Sequence, residues 1–110
     1  MAATINFDEA LAELEQLQHT DLPSAITKLH ELEADFEHMT RFQQGRLLVF
    51  KGTSFIYAGQ YQEALVTLIQ SENLVQNSDY LFSAYSYEAT AYIALRNFKD
   101  AFVVMSKSLG

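Results

Sequence analysis

The sequence predicts an all-α domain of about six helices folded as stacked antiparallel hairpins, and three observations predict it. Chain breakers are scarce: 110 residues include one proline, Pro23, and four glycines, whereas an all-β domain needs a turn signal roughly every ten residues. Apolar residues recur every three or four positions through most of the chain, the period of an amphipathic helix. A block of 20 residues starting at Gly52 also returns, without gaps, 37 residues later.

The first helix is placed over about 7–18 by Phe7, Leu11, Leu14 and Leu17, with Asn6 as its N-cap and Asp8 and Glu9 complementing its positive end. Pro23, tolerated where an N–H has no helical partner, starts a second helix. In this helix Ile26, Leu29, Leu32 or Glu33, Phe36 and Met39 continue the stripe to Thr40. A third helix over about 42–58 is apolar on most sides, which predicts burial between neighbours. Gly59 supplies its left-handed cap. A fourth helix covers about 61–75, the polar stretch 76–79 is a turn, and helices over about 80–95 and 98–109 complete the chain. The whole reads as one domain, 1–110, with hairpins at 5–40, 42–77 and 79–110.

Composition excludes several function classes. There is no cysteine, which removes disulfides, thiolate zinc sites and Cys nucleophiles and suits a reducing, cytoplasmic setting. The first twenty residues hold four carboxylates and no Lys or Arg, the opposite of a signal or transit peptide. The longest apolar runs are about five residues, as at 91–95, too short for a membrane span. The net charge of −7 is uneven. Residues 1–40 carry nine acids against the single Lys28, while residues 41–110 carry five acids and six bases. Such a surface repels phosphate backbones, so direct nucleic-acid binding is not expected. The acidic half reads either as a solvated helix face or as a docking face for a basic partner.

Candidate chemistry is sparse. His19, His30 and His38 are the three histidines. Glu31, Asp35 and His38 share a helix face, but no HExxH or paired ExxH motif accompanies them. Gly45, Gly52, Gly59 and Gly110 form no phosphate loop, and there is no GxSxG. No catalytic, metal or cofactor-binding residue is assigned, and no enzymatic activity is expected.

The repeat is the strongest signal. In the 37-residue register Gly52 meets Ala89, Phe55 meets Tyr92, Tyr61 meets Phe98, Ala64 meets Ala101, Leu68 meets Met105 and Ser71 meets Ser108. Small residues let the helices of a hairpin approach, and the aromatics fill the space beside them. This pattern, best developed in Tyr57-Ala58-Gly59-Gln60-Tyr61-Gln62-Glu63-Ala64 and echoed by Arg96-Asn97-Phe98-Lys99-Asp100-Ala101, resembles the tetratricopeptide repeat (TPR). The resemblance covers about 45–110. Its period is longer than usual, as in bacterial signalling and transcriptional regulators, and the proline that closes each repeat is missing. The first hairpin is degenerate: Ala25 can match Ala64, but Glu13 or Leu14 stands where a small residue is expected.

The resemblance implies a short right-handed superhelix whose first helices line a concave groove for a protein or peptide. The groove positions are Arg46, Val49, Phe50, Thr53 and Tyr57 on the third helix, and Ser83, Ser86, Tyr87, Thr90 and Ala94 on the fifth. Families that grip a C-terminal carboxylate carry Lys and Asn where Val49, Thr53 and Tyr87 stand, so that mode is disfavoured. Phe50, Tyr57 and Tyr87 are the expected anchors, while aromatics at this spacing also serve as core. Tyr85 and Tyr92 are core candidates, and Tyr80 and Phe82 are candidates to cover an end of the stack. The last helix is apolar at Phe102, Val103, Met105 and Leu109 with no polar element after it. This predicts either a larger protein, in which the array controls an attached output domain, or self-association through that face.

Overall fold

The computed structural model describes residues 5–110. Its helices are α1 (Phe7–Thr20), α2 (Leu22–Glu33), α3 (Arg41–Tyr57), α4 (Tyr61–Glu72), α5 (Asp79–Ala94) and α6 (Phe98–Ser108), with a single 3-10 turn over Phe36–His38. The fold is all-α. The helices pack as the pairs α1–α2, α3–α4 and α5–α6, and α3 also packs against α1, α2 and α5.

Local chemistry explains most boundaries. The Asn6 side chain accepts the Glu9 amide at 3.1 Å, and Asp21 accepts the Ser24 amide at 3.3 Å across Pro23. Thr40 and Gln43 form a reciprocal capping box at the start of α3, with bonds of 3.1 and 2.9 Å. That box corrects the expected end of the second helix. A capping residue needs extended backbone, and Thr40 has φ −65° and ψ 163°, so no helix runs on through Thr40; α2 ends at Glu33. The apolar stripe outlives the helix because a 3-10 turn also aligns residues i and i+3. Half-buried Phe36 and buried Met39 still reach the core. The inward face of α2 is Ala25, Leu29 and Leu32, and Ile26 faces outward. Likewise α4 ends at Glu72, three residues early, and Val75 is fully buried from the connecting loop.

The turn inside the second hairpin recurs in the third. Gln60 donates its amide to the Phe55 carbonyl at 2.9 Å, and Asn97 donates to Tyr92 at 2.8 Å. Gln60 and Asn97 share φ and ψ to within a degree, −94° and 73° against −95° and 73°. The residue before each is left-handed: Gly59 at φ 75° and Arg96 at φ 61°. An L residue pays a steric penalty there that glycine escapes. The third hairpin therefore keeps the turn of the second against its own side chain.

The core lies in two joined clusters. Leu11, Leu14, Leu29, Leu32, Leu47 and Phe50 unite the first hairpin with α3. Val49, Ala64, Leu68, Val75 and Ala84 unite the second hairpin with α5. Ala25, Ala64 and Ala101 are all essentially fully buried, the small-residue position of each hairpin. Gly52 lets α3 approach α4, and Gly45 lets it approach the segment between α4 and α5. A Cβ on Gly45 would fall 2.6 Å from Val75 and 2.7 Å from Leu74, and one on Gly52 would fall 2.5 Å from Leu68.

Three stability results are expected, measured by thermal and urea unfolding. Arg96→Gly stabilises by about 1 kcal/mol and Gly59→Ala destabilises by a similar amount. Gly45→Ala destabilises by about 1–3 kcal/mol through overpacking, despite the better helix propensity of alanine.

Candidate functional site

The first helices of the three hairpins, α1, α3 and α5, enclose a cleft of about 440 Å³. Its floor is α3: Val49, Phe50 and Thr53 are buried, with Thr53 Oγ1 donating to the Val49 carbonyl at 2.8 Å. One wall is α5, through Asp79, Tyr80, Ser83 and Tyr87, and the other is α1, through Glu15, Gln18 and His19. Gln18 is buried and fixes the α1 wall to the floor. Its Nε2 donates to the Phe50 carbonyl at 2.7 Å and to Ser54 Oγ at 3.1 Å.

Tyr80 is the node of the site. Its ring meets Phe42 and Phe50 edge to face, with centroids 5.9 and 6.0 Å away. The Arg46 guanidinium lies 5.2 Å from its centroid. Its hydroxyl donates to Glu15 Oε1 at 3.3 Å. Burial raises the Tyr80 pKa, opposed by Arg46 and assisted by Glu15. Burial, then a hydrogen bond with Tyr57, raises that of Tyr87. Both phenols therefore stay protonated at neutral pH and can donate.

Of the sequence-assigned groove residues, the cleft brings together Val49, Phe50, Thr53, Ser83 and Tyr87. Tyr57, at the end of α3, is exposed near Tyr87 but does not line the cleft. Arg46 is corrected: it is buried, ion-paired to Asp8 at 3.1 Å and stacked on Tyr80, so it offers no free charge. Ser86, Thr90 and Ala94 are exposed on α5 away from the cleft lining. Tyr80 is corrected as well, since it stands at the centre of the stack rather than covering an end. The α1 wall escapes sequence reasoning. The available signal is Gln18 itself, which continues the buried series Leu11, Leu14 at helical spacing.

The electrostatics of the cleft are acidic. Its lining residues include the carboxylates Glu15 and Asp79 and no Lys or Arg. Its apolar surface is largely aromatic.

On the last helix Phe102, Met105 and Leu109 are exposed and share a stripe with exposed Phe98. Val103 is exposed too, but at 100° per residue it points to another side of α6.

A second perturbed group lies outside the cleft. Glu88 on α5 is 2% exposed and its Oε2 has no hydrogen-bond partner. Burial, and then the neighbouring Glu72 carboxyl, push its pKa from 4.5 up to about 8, with Lys107 pulling the other way. Strongly perturbed groups often mark functional sites, but Glu88 lines none of the surface clefts described. Set against known proteins, the chain matches no family model, no curated protein and no solved structure.

Glu88 makes stability depend on pH in a definite direction. Between pH 4.5 and about 8 the folded chain keeps a proton that the unfolded chain has released. The stability contributed by neutral Glu88 is therefore complete below the lower value and is lost as pH rises through the upper one. Glu88→Gln should unfold at higher temperature than the parent at pH 8, with the gap narrowing towards pH 4. A gap that does not change with pH would refute this.

Proposed function

We propose that this chain is a protein-binding module of the tetratricopeptide kind, acting in a regulatory or scaffolding role. In this reading it receives a basic peptide segment in the α1–α3–α5 cleft and contributes no catalytic chemistry. The observation that carries the reading is the lining of the cleft. It is built from the first helix of each hairpin, sets Tyr80 and Tyr87 above a buried floor of Val49, Phe50 and Thr53, and carries two carboxylates with no Lys or Arg. Aromatic side chains offer large contact area at small entropic cost. Glu15 and Asp79 would pair with a Lys or Arg of the ligand beside its apolar anchor. The acidic first hairpin would raise the association rate of such a ligand by long-range attraction, an effect that salt screens. The cysteine-free composition supports a cytoplasmic setting.

The test is fluorescence anisotropy with labelled peptides that alternate Lys or Arg with Leu or Phe, against counterparts carrying Glu. The basic series should bind about tenfold or more tightly, and Tyr87→Ala should cost at least about tenfold in affinity. Glu15→Gln with Asp79→Asn should weaken binding and flatten its salt dependence. Equal affinity for acidic and basic series would overturn the reading.

A further inference from the structure

The 37-residue register identifies which side chains of a hairpin receive the next one. On α4 the stripe is Tyr61, Leu65, Leu68 and Glu72. Leu65 is 7% exposed and Leu68 is 0% exposed, and Leu68 lies against Gly52 of α3 while sharing a cluster with Ala84 of α5. On α6 the same register positions are Phe98, Phe102, Met105 and Leu109, exposed by 61, 69, 43 and 89%. Their 4-3-4 spacing is the seam spacing of paired helices. The α6 stripe is therefore a copy of an interface that elsewhere in this molecule holds a helix, made more apolar by Leu109 in place of Glu72.

The opposite end of the stack is different. The outer groove of the first hairpin is lined by the polar Glu13, Ser24, Thr27, Lys28 and Glu31 together with Leu17 and Pro23, and Lys28 and Glu13 pair at 3.2 Å. A head-to-tail contact would strip water from that ion pair and from Glu31 against an apolar stripe that offers no polar partner. A matching apolar helix face does exist on α6 itself.

We infer that α6 pairs with α6 of a second copy of this chain, antiparallel about a two-fold axis. The stripe is centred between residues 103 and 104, so Phe102 faces Met105 of the second copy and Phe98 faces its Leu109. Lys99 is the one charge among the positions flanking the stripe, Lys99, Ala101, Ser106 and Ser108. Antiparallel pairing sets it opposite Ser108, whereas parallel pairing would set it beside its own copy. The four side chains expose on the order of 500 Å² per copy, given full areas of roughly 150–250 Å² each. The pair would bury about 1,000 Å², the lower end of specific interfaces. The result is a reversible dimer with concentration-dependent mass.

Sedimentation velocity of the full chain, from low micromolar to near-millimolar concentration, tests this. The expected result is a monomer–dimer equilibrium with no larger species. Phe102→Asp should weaken it by more than about tenfold, with unchanged circular dichroism because the residue is exposed. Glu13→Ala, at the other end, should leave it unaltered. Since the chain has no cysteine, a Phe102→Cys, Met105→Cys double variant should give a covalent dimer on mild oxidation. A monomer at every concentration, a dimer indifferent to Phe102→Asp, or a series of masses that keeps growing would each overturn the inference.

Discussion

The absence of side chains at two points of α3 governs the geometry of the rest of the stack. Gly52 lets Leu68 of α4 lie where a Cβ would be, and Gly45 does the same for the Leu74–Val75 segment that leads into α5. These contacts bring α4 down onto α3 and return the chain so that α5 can pack on α3 as well as on α4. The floor of the cleft depends on this. Val49 and Thr53 are buried because α5 crosses close to α3, and a longer side chain at position 45 would lift that crossing.

Tyr80 turns the resulting proximity into a fixed arrangement. It packs against both core clusters. Around it Asp8 holds Arg46, Arg46 lies on the ring, and the hydroxyl reaches Glu15, 65 residues away in sequence. The first and third hairpins are joined through that chain of polar contacts, across α3. A partly buried Arg whose charge is met by a carboxylate and an aromatic face is well accommodated. The cleft keeps its acidic character because the cation near it is already neutralised.

The architecture is largely legible in the sequence because it is local. Caps, breakers and a period of three to four residues are written within a few positions of one another, and Asn6, Pro23 and Gly59 act where the sequence places them. The small-aromatic alternation also marks both α3–α4 and α5–α6. The features that stay hidden involve competition or distance. The capping demand of Thr40, rather than the apolar stripe, decides that no helix runs on through it. Arg46 reads as a groove cation because its partners Asp8 and Tyr80 are 38 and 34 positions away. The α1 wall is hidden because the degenerate first hairpin offers no aligned repeat from which to read it. Ser86, Thr90 and Ala94 stand on α5 one 37-residue register from Val49, Thr53 and Tyr57, exposed and outside the cleft lining.

The two junctions between hairpins use one register position in different ways, with a base at the first and an acid at the second. Lys51 on α3 bonds Glu33 at the end of α2, at 2.9 Å. The residue 37 positions on is Glu88 on α5, and its neighbour is Glu72 at the end of α4. The first junction is an ion pair that is partly exposed on both sides. The second holds a carboxyl that must stay protonated, because it is buried beside another acid. As pH rises towards 8, the strain falls on the contact between the second and third hairpins. Asp79, Tyr80, Ser83 and Tyr87 reach the cleft from the same helix as Glu88. The wall that would carry the aromatic anchors is thus the part of the stack whose attachment weakens as pH rises from 4.5 towards 8.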